Sequence, residues 1–423
     1  MSRIVVTTIG SLGDLHPKIV IALELRKRGH DVVFATHQEY QAQVESLGFE
    51  FHRLRPDYPL NDSQEAARMM DLRTGSKYVI HWVSARLRET YTDLVETVKD
   101  ADFILAGELV YAARLVAETL KIPWALSILQ PTSFFSAYDP PVRAEYPVLA
   151  KLRVLGPGFN RGLVQFAKWV SQSWAQPIYQ FRSELGLPPL AGNPLIDDKH
   201  SPYLVLALFS SAFAKPQPDW AINTVQTGFA FYDGSEEEAK LTPKLLQFLE
   251  AGEPPIVFTL GSAAVMTPGR FYEESVEAAK HLGCRAVLLV GKNALPQNLP
   301  ESIIAASYAP YSQIFPRAFA IVHQGGIGTT AQALRAGRPT LVMPYSHDQP
   351  DNAARVERLG VSRTIPRKQY SAVRVVRQLR ELFENPSYAT SAADIGRIIQ
   401  KENGVELACD AIEKQLQAVS VSS

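Results

Sequence analysis

The sequence predicts an α/β protein of two parallel-sheet domains facing each other across a cleft. Three observations lead there. Apolar, β-rich runs alternate with helical periodicity from the first residues onward, as strand–helix–strand units of a parallel sheet require. The pattern breaks between Gly228 and Pro255 and then restarts. The first strand of each half also closes on a similar signature, Thr8-Ile9-Gly10-Ser11 and Thr259-Leu260-Gly261-Ser262. Open sheets of this kind bind ligands beyond the carboxyl ends of their strands, so two facing sheets would hold a ligand between them.

Taken in order, Arg3–Ile9 reads as a strand. Pro17–Arg28 reads as a helix, with apolar Ile19, Ile21–Leu23 and Leu25, a proline in the first turn and Gly29 past the end. Arg26-Lys27-Arg28 suits the negative end of that helix better than it suits a localisation signal. Asp31–Thr36 is a second strand, and a further helix leads to Gly48. Strands at Phe103–Ala106 and Trp124–Ile128 flank a helix over Tyr111–Leu120. Residues Pro131–Leu187 carry many prolines, glycines and aromatics, among them Phe159, Phe166, Trp169, Trp174 and Phe181. They read as irregular chain plus amphipathic helix, either packed on the core or walling an apolar cleft, with contact to a membrane surface left open. Gly234-Ser235-Glu236-Glu237-Glu238 and Gly252-Glu253-Pro254-Pro255 punctuate a linker over 231–254, dividing a domain of 1–230 from one of 255–423 whose last helix is free to pack back on the first. In the second half, strands are expected at Ile256–Leu260, Ala286–Val290, Phe319–His323 and Thr340–Met343, and helices at Phe271–Leu282 and Thr329–Ala336.

The chain has 423 residues, 46% apolar and 20% charged, enough for two or three soluble domains with their own cores. Lysine plus arginine equals aspartate plus glutamate at 43 each. That balance argues against bulk attraction to nucleic acid, so any phosphate must be held locally. Cys284 and Cys409 lie far apart in no metal-ligand spacing, as expected of a reducing compartment. Neither a signal-peptide pattern nor an apolar run of roughly 18 residues is seen, and a cytoplasmic location is expected. The oligomeric state is not legible.

The strongest motif is His323-Gln324-Gly325-Gly326-Ile327-Gly328-Thr329-Thr330-Ala331, set between a buried strand and a helix. Glycines let backbone amides approach an anion, and the helix that Thr329 and Thr330 open turns its positive end to the loop. His323 at the strand tip is a candidate donor to a phosphate. Downstream, Met343-Pro344 closes a strand, and Tyr345-Ser346-His347-Asp348-Gln349-Pro350-Asp351-Asn352-Ala353 follows. Asp348 and Gln349 would stand beside the phosphate loop, where a carboxylate and an amide suit vicinal sugar hydroxyls.

With these two segments the chain resembles the nucleotide-sugar-dependent glycosyltransferases of the UDP-glycosyltransferase superfamily. These have the GT-B architecture of two facing Rossmann-like domains. It is most similar to the microbial branch containing sterol glucosyltransferases, macrolide glycosyltransferases and the rhamnosyltransferase of rhamnolipid synthesis. The likeness runs from Gly10-Ser11-Leu12-Gly13-Asp14 to about Gly360, with Leu206–Phe209, Asp219-Trp220, Thr227-Gly228-Phe229 and Asp233-Gly234-Ser235 adding to it. The resemblance implies a donor site in the second domain. His323, Gly325, Gly326, Gly328, Thr329 and Thr330 would hold the diphosphate, and Ser262 would touch phosphate or ribose. Tyr308 and Ala309 would meet the base, Asp348 and Gln349 the sugar, with Gly13 reaching the donor from the first domain. It implies a UDP- or dTDP-hexose (glucose or rhamnose) as co-substrate, no cofactor, no metal, and a small apolar hydroxylated acceptor such as a lipid, sterol or phenol. Gly326-Ile327-Gly328 stands where plant relatives have Trp-Asn-Ser, and Tyr308 near their base-stacking tryptophan, which leaves the nucleobase open.

Gly10-Ser11-Leu12-Gly13-Asp14-Leu15-His16-Pro17 lacks the third glycine of a dinucleotide fingerprint, so NAD is not expected. Asp14 stands three residues ahead of Pro17, and the microbial branch uses this aspartate as its proposed base. An ordinary aspartate is ionised at neutral pH and accepts the acceptor's proton late, in a concerted displacement that inverts the anomeric carbon. The structural alternative is an N-terminal cap for the Pro17 helix. His16 is a rival base, although its place before Pro17 looks like the cap position itself. Glu108 and Gln130, beyond two strand tips, are weak candidates for the acceptor site. Glu108 reads more readily as a solvated loop carboxylate. Two other functions fit this architecture: a nucleotide-sugar 2-epimerase, and a silent sugar-nucleotide-binding subunit, which would be expected to lose Asp14.

Overall fold

The computed structural model describes residues 1–57, 62–143, 151–234 and 240–422. The first sheet contains β1 (Arg3–Thr7), β2 (Asp31–Thr36), β3 (Glu50–Arg53), β4 (Phe103–Gly107), β5 (Trp124–Ile128), β6 (Leu204–Ala207) and β7 (Thr224–Gln226). The second contains β8 (Ile256–Thr259), β9 (Ala286–Leu289), β10 (Ile303–Ala306), β11 (Ala320–His323), β12 (Thr340–Val342) and β13 (Ser362–Thr364). Their spatial orders are β3-β2-β1-β4-β5-β6-β7 and β10-β9-β8-β11-β12-β13, and the pairings are parallel throughout. These are two Rossmann-like sheets. The order reverses between β1 and β4 in one and between β8 and β11 in the other, which is where such sheets open a crevice.

The central strands of each sheet are covered on both faces, and so they are apolar on both sides. In β1, Val5 packs with Val33, Ile104 and Val205 on one face, while Ile4 and Val6 meet Leu15, Ile19 and Phe34 on the other. The period-two alternation of the strand delivers each residue to its own core.

The first helix runs Leu12–Lys27 and so begins ahead of Pro17, contrary to the expectation that proline marks its first turn. Ser11 is its N-cap and Asp14 its third residue, and the two form a reciprocal capping box. That pair of hydrogen bonds starts the helix early and leaves Pro17 inside it. The expected helix Thr329–Ala336 likewise begins earlier, at Ile327. Three further helices, Ser63–Met69, Gly75–Ser84 and Leu87–Thr97, lie between β3 and β4 in the chain and carry no signal in the sequence analysis. Within the aromatic excursion, helices form at Pro157–Ser171 and Gln176–Glu184. Residues 144–150 of that excursion and 235–239 of the expected linker, including Ser235–Glu238, lie outside the described residues.

The last helix, Gly404–Ser422, lies against the first: Ala408, Cys409 and Ile412 share a core with Ile19, Ile21 and Leu25. Arg28 joins them by ion pairs to Asp410 at 2.6 Å and Glu413 at 2.8 Å. The chain therefore passes between the sheets twice, and the two passages touch. A side chain at Gly404 would collide with the Phe229 carbonyl oxygen at 2.4 Å, and one at Gly228 with Glu402 at 2.9 Å. Elsewhere, Arg355 on helix Gln349–Arg358 is buried between Asp351 and Asp139, a residue of the first domain. The Val142 N–H donates to Asp351 at 2.9 Å.

Candidate active site

Because β1, β4 and β5 are neighbours, their carboxyl ends deliver Asp14, Glu108 and Gln130 side by side. The Asp14 carboxylate accepts the Ser11 N–H at 2.8 Å and lies 3.3 Å from the Ser11 hydroxyl. It is half-buried, facing the cleft. Gly10, at φ +140°, leaves room for it, since a Cβ there would come within 2.3 Å of its Oδ2. The turn is held from behind: the Gly10 N–H donates to His37 Nε2 at 2.8 Å and the Tyr40 hydroxyl to the Gly10 carbonyl at 3.0 Å. Burial pushes the Asp14 carboxyl up from its ordinary range, against the opposing pull of Lys18 and the Ser11 N–H. The expectation of an ordinary, weakly basic aspartate is thus corrected. Less solvation makes this carboxylate a better proton acceptor.

Asp14 is also part of the cap, so the structural reading and the chemical one are not exclusive. His16 is not the cap. It lies inside the helix, its ring 5.0 Å from that of Tyr232.

Lys18, not singled out in the sequence, is the second feature of this tip. Its side chain is buried, and Nζ donates to the Asp14 carbonyl at 3.1 Å. Gly107 makes room for it, because a Cβ there would stand 3.2 Å from Cε and 3.4 Å from Nζ. Burial lowers the ammonium to about 8, with Asp14 and Glu108 holding it up. Glu108 is not a solvated loop carboxylate. It pairs with Lys199 at 2.8 Å and accepts from Ser133 at 2.9 Å and Gln130 at 3.2 Å. Gln130 thereby serves Glu108.

In the second domain, β8, β11 and β12 are neighbours and bring Ser262, His323 and Asp348 to one edge. His323 is fully buried, and its Nδ1 accepts the Gly325 N–H at 3.0 Å. That bond fixes the tautomer: Nε2 carries the proton and is the outward donor. Among the described residues Nε2 is buried without a partner. Burial drives the imidazole down to about 3, so it is neutral in use. Gly325, at φ +85°, turns the chain where a side chain would strike Val342 at 2.8 Å. Gly326 is the N-cap of helix Ile327–Ala336 and offers no side-chain oxygen to its first N–H groups. Gly328 lies in that first turn, where an added Cβ would meet open space. Gly261 approaches the same loop, 2.3 Å from Gln324 Nε2 as a Cβ would see it.

The threonines divide. Thr329 is engaged by Gln324 at 3.3 Å and by Tyr311, whereas the Thr330 hydroxyl is buried without a partner among the described residues. Tyr308, beyond β10, is exposed, and Ala309 beside it is buried.

Asp348 and Gln349 begin helix Gln349–Arg358. The Gln349 side-chain Oε1 accepts the Tyr345 N–H at 2.8 Å, so that half of its amide bridges the loop. Asp348 Oδ2 accepts from Asn352 at 2.6 Å. Burial raises its carboxyl to about 7, opposed by Asn352 and the Ile327 N–H, with Asp14 adding to the rise. The Asp14 carboxylate of one domain thus bears on Asp348 of the other.

Comparison with known proteins agrees with this geometry. A family model described as the glycosyltransferase family 28 N-terminal domain matches residues 4–133. Another, the erythromycin biosynthesis protein CIII-like C-terminal domain, matches 277–406. The O-mycaminosyltylonolide 6-deoxyallosyltransferase of Streptomyces fradiae is 31% identical over 97% of both chains. The sterol 3-beta-glucosyltransferase of Pichia angusta is 28% identical over 98% of this chain, which spans only 34% of that longer protein. Among solved structures, the kitacinnamycin glycosyltransferase superposes with a TM-score of 0.73 at 22% identity, covering 98% of this chain and 99% of its own. VinC in complex with dTDP superposes at 0.69 and 18% identity, covering 98% and 100%.

Proposed function

Because the chain belongs to the UDP-glycosyltransferase superfamily and is a glycosyltransferase of GT-B architecture, we propose that it moves a hexose from a thymidine- or uridine-diphosphate sugar to a hydroxyl of an apolar acceptor. A macrolide-like or sterol-like ring system is the acceptor class. The names of its relatives support both halves of this reading: a 6-deoxyallosyl or glucosyl group as cargo, and a macrolide or sterol as recipient. One observation carries the donor assignment. His323 presents a buried N–H with no partner among the described residues, at the mouth of a helix whose glycine cap offers no side-chain oxygen to its first amides. A buried donor without an acceptor costs about 1–3 kcal/mol, which a phosphate oxygen would return.

The reaction is a single displacement. The acceptor hydroxyl attacks the anomeric carbon, its proton passes to Asp14, and the bond to the diphosphate oxygen breaks. The departing charge is met by His323 Nε2–H, the Thr330 hydroxyl and the helix amides. One displacement inverts the anomeric centre. Lys18 draws the Asp14 carboxyl down against the upward push of its burial. Asp348 stands nearest the sugar, and Tyr308 offers a ring to the base.

The test is to mix the protein with dTDP- and UDP-hexoses and to follow nucleotide release with and without a macrolide aglycone or a sterol. Acceptor-dependent release with inverted product is expected. Release of an epimerised sugar nucleotide without acceptor would refute the proposal.

A further inference from the structure

Helix Pro157–Ser171 turns its aromatic side chains outward. Its only buried residues are Asn160 and Ser171, which lie three turns apart on one face. Asn160 donates to the Ala137 carbonyl at 3.0 Å, and Ser171 accepts from Asn193 at 3.0 Å. Polar pegs thus hold the helix to the domain, with Leu163, Val164 and Val170 half-buried, while its aromatic side chains face out. Phe159 is 41% exposed, Phe166 57% and Trp169 70%, and on the preceding turn Val154 is 83% and Leu155 57%. Phe159 and Phe166 share a stripe two turns long, and the rings of Phe166 and Trp169 lie 5.9 Å apart. Apolar residues scattered singly on a surface need no account, but a contiguous aromatic face on one helix does.

Charge identifies what covers it. The chain as a whole is neutral, yet residues 151–183 contain no Asp or Glu and carry Lys151, Arg153, Arg161 and Lys168 on or beside this helix. Arg153 is answered by Asp139 and Lys168 by Asp197. Lys151 and Arg161 are exposed, and Arg161 lies over the ring of Tyr138 at 5.5 Å. A second copy of this chain, meeting the face about a two-fold axis, would set a stretch without Asp or Glu against itself and offer Lys151 and Arg161 no counter-charge. An anionic lipid surface takes both the cations and the aromatic stripe. Among the described residues no helix is long and apolar enough to cross a membrane, so contact would be in the interfacial plane.

We propose that this helix docks the protein on the surface of an anionic bilayer. Phe166 and Trp169 enter the acyl boundary, and Lys151 and Arg161 lie among the headgroups. The inference stands apart from the choice of sugar and acceptor.

The test is sedimentation of the full chain with vesicles of phosphatidylcholine alone or with about 30% phosphatidylglycerol. Binding to the anionic vesicles is expected, weakened by salt and reduced at least about tenfold in a Phe166→Ser/Trp169→Ser double variant. Both positions are exposed, so nucleotide binding and thermal midpoint should be unchanged. Should the double variant misfold, the difference in emission between the wild type and Trp169→Phe reads the same event, as a blue shift on adding anionic vesicles. Absence of wild-type binding, equal binding to uncharged vesicles, full binding by a folded double variant, or no blue shift overturns the proposal. So does a wild-type dimer that the double variant converts to monomer, since the face would then belong to a second copy.

Discussion

His323 allows the donor contact to be separated from the fold of its loop. In His323→Asn the shorter amide can still accept the Gly325 N–H in place of Nδ1, but nothing reaches the position of Nε2. In His323→Gln a donor returns near Nε2, and the Gly325 N–H loses its acceptor. A hydrogen bond to a charged group contributes about 1.5–3 kcal/mol. Nucleotide affinity of His323→Asn should therefore fall about 10- to 150-fold while its thermal midpoint stays close to wild type. His323→Gln should bind more nearly like wild type but lose about 1–3 kcal/mol of stability through the orphaned amide. Titration calorimetry with dTDP and UDP, paired with thermal melting, reads both quantities. Since burial holds the imidazole near 3, affinity should show no histidine step between pH 5 and 8. If His323→Asn binds nucleotide as the wild type does, or if a step near the ordinary histidine pKa vanishes in that variant, the neutral-donor assignment is wrong.

Three further outcomes follow from the same tip-to-tip arrangement. Asp14→Asn should leave nucleotide binding intact and lower the transfer rate by about 10²–10⁴-fold, the usual worth of a positioned base; undiminished turnover would remove Asp14 from that role. Lys18→Met withdraws the charge that lowers the Asp14 pKa, so the acid limb of the rate profile should move to higher pH, with a larger loss at pH 6 than at pH 8.5. An unmoved limb would uncouple the two groups. Asp348 has its carboxyl raised to about 7 in the folded protein, so its contribution to stability is present below the unfolded value near 4 and is lost as pH climbs through 7. Asp348→Asn should accordingly raise the melting midpoint at pH 8 relative to wild type, by the equivalent of about 2 kcal/mol after allowance for cleft water, and do little at pH 4.

The parts that were legible in the sequence are those whose physics is local. β1, β4 and β5 announce themselves as buried apolar runs, and His323–Thr330 reads as an anion loop because glycines between a strand and a helix have few other uses. Edge strands were missed for the opposite reason. Glu50-Phe51-His52-Arg53 and Thr224-Val225-Gln226 are short and partly exposed, and so carry no apolar signature. Lys18 and Arg355 were passed over because a cation on a helix is by default solvated. The available signal was spacing: Asp14 with Lys18 and Asp351 with Arg355 are i,i+4 pairs, with Lys18 between the core residues Leu15 and Ile19 and Arg355 beside Val356. Only the tertiary fold shows that both are interior. The role of Glu108 depends on Lys199, a partner remote in the chain that no local pattern predicts.

The place where Gly228 meets Glu402 and Gly404 meets Phe229 has a mechanical meaning. Two passages of covalent chain, pressed together without room for a methyl group, fix the separation of the two halves at that point. A single bulky residue at either glycine would force the two passages apart, and so shift Asp348 relative to Asp14 without touching either carboxylate.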